Sequence, residues 1–138
     1  MKMKAALLFI IALVITFAFL WRPYFEMELA SSAYYSQNDK REYEYYTPEL
    51  FKMMPRISST YSFQYISNHD ARKRLYGIRF DGTSETEKLK SWLQLAGYKP
   101  QATCDTSAEC WRKEDSDNVV SLYSSANPDY VVIQLSQK

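Results

Sequence analysis

The sequence has little of what most enzymes use for catalysis. It contains one histidine, three glycines and two cysteines in 138 residues. A Ser–His or Cys–His mechanism would have to use His69, which lies in a charged segment. The glycines are isolated at positions 77, 82 and 97, so the sequence has no glycine-rich phosphate loop. These shortages predict a protein that is not an enzyme, with no catalytic residue and no cofactor.

Paired carboxylates are the remaining catalytic option. Two such pairs are Asp81 with Glu85 and Asp105 with Glu109. Both pairs fall in segments with the composition of loops or helix caps, where acidic residues favour turns and solvent. We therefore interpret both pairs as structural.

An excess of charge of one sign is also lacking. Fifteen of the 17 Lys and Arg residues and all 16 Asp and Glu residues follow residue 21, so this part carries a formal net charge of −1. Such a domain lacks the basic surface that nucleic acids require, and we predict no nucleic acid partner. The segment 69–74 is locally basic. We interpret it as a solvated loop, with contact to an anionic partner or a lipid headgroup as the alternative.

The two cysteines, Cys104 and Cys110, predict one disulfide, because the N-terminal segment described below predicts export. The bond would close a seven-residue loop, for which chain entropy gives about 2 kcal/mol. A metal site is the alternative, but His69 would raise the number of ligands only to three, without zinc-site spacing. A redox pair is disfavoured because the spacing is not C-x-x-C. We predict no bound metal.

The sequence does contain a long apolar segment. Residues 1–4 carry two lysines, and residues 5–21 carry no charge. Seventeen helical residues rise roughly 26 Å, close to the hydrocarbon thickness of about 30 Å. We predict an uncleaved transmembrane signal-anchor over residues 5–21. A cleaved secretory signal is the alternative, but residues 19–23, Phe-Leu-Trp-Arg-Pro, are a poor cleavage site.

Charge around this segment predicts its orientation. Lys2, Lys4 and the α-amino group precede it, and only Arg22 follows it closely. Positive residues stay on the cytoplasmic side, so we expect a cytoplasmic N-terminus and an extracytoplasmic C-terminal part. The short lysine-bearing N-terminal region is typical of bacteria. The sequence thus predicts a single-pass protein of the bacterial inner membrane with a periplasmic domain.

The patterns after residue 21 predict a juxtamembrane segment, 22–46, and an α+β domain, 47–138. A helix of about two turns is expected between Thr47 and Pro55. Ser84 and Glu87 match a capping box, and the stripe of Leu89, Trp92, Leu93 and Ala96 predicts a main helix over about 84–96. Alternation of polar and apolar residues predicts strands, and we expect a two-layer fold with one main helix on one face of an antiparallel sheet. The expected strands are 60–65, 76–80, 98–103, 111–113, 119–123 and 130–135.

Aromatic residues are unusually abundant: 22 of 138 residues are Phe, Trp or Tyr, and 12 are Tyr. Tyrosine is favoured at protein interfaces, but it also suits strands and membrane boundaries. The candidates for partner contact are Tyr43, Tyr45, Tyr46, Tyr123 and Tyr130.

These observations favour a membrane-anchored periplasmic binding module that acts by protein–protein contact, such as an inhibitor or immunity protein. An accessory subunit of an envelope or secretion complex is one alternative. A small envelope hydrolase or glycan-binding protein is the other.

Overall fold

The computed structural model describes residues 1–104 and 107–138. It divides into two compact units, Met1–Ala30 and Ser31–Lys138. The first unit is a single helix, α1 (Lys2–Leu29), which contains the predicted span 5–21 and continues through Pro23. This helix is long and apolar enough to cross a membrane.

The second unit is built on an antiparallel sheet, which confirms the predicted α+β fold. In the described residues the sheet has seven strands in the order β1-β2-β3-β7-β6-β5-β4. The strands are β1 (Ser32–Tyr35), β2 (Thr60–Asn68), β3 (Lys73–Asp81), β4 (Tyr98–Pro100), β5 (Glu109–Lys113), β6 (Val119–Ser125) and β7 (Tyr130–Gln137). The helices of this unit are α2 (Lys40–Tyr46), α3 (Glu49–Lys52) and α4 (Glu87–Leu95).

One face of the sheet, called here the inner face, forms the core. Alternate residues of the central strands are fully buried there, and the register aligns Phe63, Ile78, Ile133 and Leu122 in one row across β2, β3, β7 and β6. Leu89 and Leu93 of α4 are also fully buried. The period of two in the strands and the helical spacing in α4 together produce this apolar layer.

The main helix α4 confirms the predicted element, but it begins three residues later than residue 84. Its N-cap is Thr86, which makes no side-chain cap hydrogen bond. The Glu87 amide donates instead to the Glu85 carboxylate, at 3.3 Å, so the capping box expected from Ser84 and Glu87 is not what begins the helix. At the other end Gly97 has φ +91°, the left-handed conformation that favours glycine after a helix.

Part of the predicted juxtamembrane segment belongs to the sheet-containing unit. That unit begins at Ser31 rather than at residue 47, because β1 pairs with β2 and adds an edge strand to the sheet. Helix α2 follows and places the Tyr43 and Tyr46 rings against Phe63 and Tyr65 of the inner face. Tyr43 and Tyr46 therefore contribute to the packing of the inner face.

Helix α3 is one turn long, shorter than the two turns expected before Pro55. Arg56 holds the chain after it. Its Nη1 donates to the Phe51 carbonyl at 2.7 Å, and its guanidinium lies 5.2 Å from the Tyr61 ring centroid. A cation over an aromatic face is attracted by the ring quadrupole, so Arg56 fixes this turn on the inner face.

Candidate functional site

The second face of the sheet, called here the open face, carries the alternate residues of every strand. Rings of α2 contact the sheet on the inner face, at Tyr35, Phe63 and Tyr65. On the open face Tyr34 is 76% exposed and Tyr123 is 44% exposed. The open face therefore leaves aromatic side chains available to a partner.

The loop closed by the disulfide lies against the open face. Cys110 lies at an outward-facing position of β5, because the side chain of its neighbour Trp111 is buried on the inner face. Cys110 is nevertheless only 6% exposed. It is bonded to Cys104, and its carbonyl accepts a hydrogen bond from the Gln101 amide at 2.9 Å. The disulfide therefore lies on the side of β5 away from the core. Asp105 and Thr106 lie outside the described residues, and so does the predicted Asp105–Glu109 carboxylate pair.

A groove of about 360 Å³ runs beside this loop, and it is called here the open-face groove. Strands β3, β7 and β6 are neighbours in the sheet and supply its floor. Ser107 and Ala108 of the disulfide loop supply one wall. The lining residues are Arg79, Ser107, Ala108, Ser121, Tyr123, Tyr130, Val132 and Gln134.

Two of the predicted contact residues meet in this groove. The Tyr123 and Tyr130 rings lie 5.9 Å apart between centroids, tilted by 42°. Their strands pair so that Tyr123 faces Val132 and Ser125 faces Tyr130. The two rings are thus diagonal neighbours on one face, where aromatic side chains reach each other.

Arg79 supplies the positive charge of the groove. Its guanidinium lies 4.1 Å from the Tyr130 ring centroid, and its Nε donates to the Asp81 carboxylate at 2.9 Å. Within residues 1–104 and 107–138, neither terminal nitrogen of Arg79 donates a hydrogen bond. The Tyr130 ring and the hydrogen bond from Nε to Asp81 fix the guanidinium in place. Its Nη1 and Nη2 groups then remain as two coplanar donors whose spacing matches a carboxylate.

The other three predicted contact residues lie away from the groove. Tyr46 is 5% exposed and stacks on Tyr65, whereas Tyr45 is partly exposed next to it. Tyr43 packs edge-on to Phe63, and its hydroxyl accepts a hydrogen bond from Arg56. The structure therefore places Tyr43, Tyr45 and Tyr46 in α2 on the inner side of the sheet, and contact of any of the five tyrosines with a partner stays a prediction.

The inner layer holds a buried pair of hydroxyls. Tyr35 and Thr47 share a hydrogen bond of 2.8 Å, and both are buried. Burial raises the pKa of the Tyr35 hydroxyl to about 12, although the Thr47 hydrogen bond opposes the shift. Burial also raises the pKa of Tyr76. These neutral phenols favour a structural role for this part of the protein.

The sequence did not single out Arg79. Its position in β3 between buried Ile78 and Phe80 is a signal that it points away from the core. Its neighbour Tyr130 is 51 residues further along the chain, and only the β3–β7 register brings the two together.

The described residues contain no group of three His, Cys, Asp or Glu side chains that can hold a metal ion. No family model matches the chain, and no curated protein or solved structure matches it either. Its function is therefore inferred from its own geometry.

Proposed function

We propose that this protein is a membrane-anchored periplasmic binding module that acts by protein–protein contact, as an inhibitor or immunity protein does. Helix α1 would anchor it in the bacterial inner membrane, with the N-terminus in the cytoplasm. The paired tyrosines and Arg79 of the open-face groove carry this proposal, because they lie together on the face of the sheet opposite the core.

The proposed topology is supported by charge and by redox chemistry. Lys2 and Lys4 precede the apolar run, whereas the 16 acidic residues follow it, and positive residues favour the cytoplasmic side. The bond between Cys104 and Cys110 is of a kind that persists in oxidising compartments such as the periplasm. Both features favour export of the sheet-containing unit.

The chemistry of the groove favours a protein partner. Tyrosine and arginine are enriched among the residues that contribute most to protein–protein binding. The Tyr123–Tyr130 pair offers apolar area with polar tips, and the terminal nitrogens of Arg79 suit a carboxylate. We therefore propose that the partner inserts an Asp or Glu side chain beside Tyr130.

Site-specific photo-crosslinking in cells of the source organism tests this proposal. A photoreactive phenylalanine analogue at position 123 should crosslink one protein as the main product. The same analogue at Leu95, which is 83% exposed on α4, is the control and should not capture that protein. Capture from position 95 but not from position 123 would contradict the open-face groove as the binding site.

Charge reversal tests the role of Arg79. Arg79→Glu should reduce crosslinking from position 123 at least tenfold. It removes a hydrogen bond to a charged group, which contributes about 1.5–3 kcal/mol, and about 1.4 kcal/mol is a factor of ten in affinity. Lys88→Glu makes the same charge change at an exposed position of α4 and should leave the yield unchanged. Capture of a set of membrane proteins would favour the accessory-subunit function, and retention of glycan without a protein would favour glycan binding.

A further inference from the structure

The open-face groove is smaller than the surface that a protein partner needs. Eight residues line it, whereas a stable protein–protein interface takes roughly 20–30 residues, or about 800 Å², from each side. A partner that binds in the groove must therefore also contact residues outside it. The strand register shows which residues continue the same face.

A single register row joins the groove to the edge strand β1. It is called here the open-face row, and its members, from β6 through β7, β3 and β2 to β1, are Ser121, Gln134, Gly77, Gln64 and Tyr34. Neighbouring strands lie about 4.8 Å apart, so the row is roughly 19 Å long. The first two members line the groove, and all five belong to the unit Ser31–Lys138. The row therefore extends the groove within one compact unit.

The open-face row is uncharged, although 24% of the residues in the chain are charged. Among the open-face positions of the five strands that the row crosses, all of them described, the charged residues are Lys73, Arg79 and Asp81. Surfaces that remain in water usually carry charged residues, whereas the centre of a protein–protein interface is depleted of charge and enriched in tyrosine. The composition of this face thus favours contact with another protein.

Tyr34 has the features of a second anchor at the far end of the row. It is 76% exposed, and its hydroxyl accepts a hydrogen bond of 3.0 Å from Gln64 Nε2. Ile66 is 37% exposed and lies diagonally across β1 and β2 from Tyr34, a separation within reach of an aromatic side chain. A ring that is already held by a hydrogen bond loses little freedom on binding, so it contributes affinity at a low entropic cost.

We infer that the protein bound in the open-face groove crosses the strands along the open-face row and makes a second contact at Tyr34 and Ile66. This inference rests on the proposed function, because it concerns the same partner. That partner presents a carboxylate to Arg79 on β3. One to two strands away, on β2 and β1, it presents uncharged, apolar side chains to Ile66 and Tyr34. The groove and the far end of the row form one continuous binding surface.

Photo-crosslinking from position 34 of the full chain, in cells of the source organism, tests the inference. The photoreactive analogue should capture the same protein that position 123 captures, identified by mass spectrometry, and position 95 should not capture it. Capture from position 123 alone would overturn the inference and leave the proposed function standing. Capture from neither position would overturn both. Capture of a second copy of this chain, or of a different protein, from position 34 would also contradict the inference.

Binding of the captured protein to the purified full chain in detergent measures the second contact. Tyr34→Ala should raise the dissociation constant about fivefold or more, as truncation of a tyrosine anchor does, and Ile66→Ala should raise it severalfold. Leu95→Ala is the matched control, because it also shortens an exposed aliphatic side chain, on α4, and should leave binding unchanged. A urea midpoint for each variant separates loss of contact from loss of folding. Unchanged binding in folded Tyr34→Ala, together with weaker binding in Arg79→Glu, would overturn the second contact but not the groove.

Discussion

Replacing both Cys104 and Cys110 with serine should destabilise the domain by about 2 kcal/mol without unfolding it. The disulfide closes a loop of seven residues, and chain entropy assigns so short a loop roughly that free energy at 25 °C. The disulfide lies on the open-face side of β5, whereas the core residues, such as Ile133, are buried on the other face. Loss of the bond therefore removes a restraint on the unfolded chain and leaves the core packing in place.

The same substitution should reduce partner binding at the open-face groove more strongly than it reduces the stability of the fold. Ser107 and Ala108 form a wall of the groove and lie inside the loop that the bond closes. The bond ties Cys104 to β5 beside this wall, and its loss removes that restraint. Partner capture from position 123 should therefore fall severalfold in the double serine variant.

Urea unfolding of the full chain in detergent, followed by tryptophan fluorescence, measures the stability change. The expected result is a lower midpoint, with an m-value that rises only slightly because the bond restrains only seven residues of the unfolded chain. Wild-type protein treated with a reductant is the matched control and should behave like the variant. A loss above about 5 kcal/mol, or no loss at all, would refute the claim that the disulfide stabilises the domain only by closing this short loop. Unchanged capture from position 123 would refute its effect on the groove.

Two further predictions concern the inner layer. Burial in the folded state raises the pKa of Tyr35 to about 12, compared with about 10 in the unfolded chain. Neutral Tyr35 therefore contributes stability that is fully present below pH 10 and is lost as the pH rises through 12. The loss amounts to at most about 2.7 kcal/mol. Between pH 10 and 12 the free energy of unfolding should fall less steeply in Tyr35→Phe than in the wild-type protein. Tyr34→Phe, at an exposed position, is the control and should behave like the wild type. An equal slope in Tyr35→Phe and the wild type would contradict the prediction. Trp111 Nε1 is buried without an acceptor in the described part of the chain, at a cost of about 1–3 kcal/mol. Trp111→Phe should therefore destabilise less than Trp92→Phe, which removes a 3.3 Å hydrogen bond to the Leu50 carbonyl; the opposite order in denaturant unfolding would show that Trp111 has a partner.

The elements with strong local periodicity could be predicted from the sequence. Alternation of aromatic and polar residues predicted β2 around Phe63, and the spacing of Leu89 and Leu93 predicted α4. Both signals arise within one element, because side-chain direction repeats every two residues in a strand and every 3.6 in a helix. The exact beginning of α4 could not be read in this way. Ser84 and Glu87 match a capping box, but Thr86 is the N-cap in the structure.

The first strand and helix of the sheet-containing unit could not be predicted, because their structure depends on distant residues. Residues 32–35 form a strand only by pairing with β2, about 30 residues further along the chain. The Tyr46 ring of α2 is buried by stacking on Tyr65, which also belongs to β2. A short edge strand has few residues in which to display alternation, so its sequence alone does not distinguish it from a linker.

The candidate groove could be predicted only in part. Tyr123 and Tyr130 flank one turn, so their proximity follows from a hairpin that the sequence indicates. Arg79 joins them through the pairing of β3 with β7, which places Asp81 opposite Tyr130. Nothing near Arg79 in the sequence specifies that register.

The core and the groove are nevertheless products of the same alternation. Because Ile78 and Phe80 must both point to the inner face, Arg79 between them must point to the open face. The same reasoning applied to Val131 and Ile133 places Val132 on the open face. The β3–β7 register then pairs Val132 with Arg79. Substitutions that change the groove therefore need not disturb the core, since the two sets of side chains lie on opposite faces. Loss of partner capture in a folded Arg79 variant can accordingly be attributed to the groove itself.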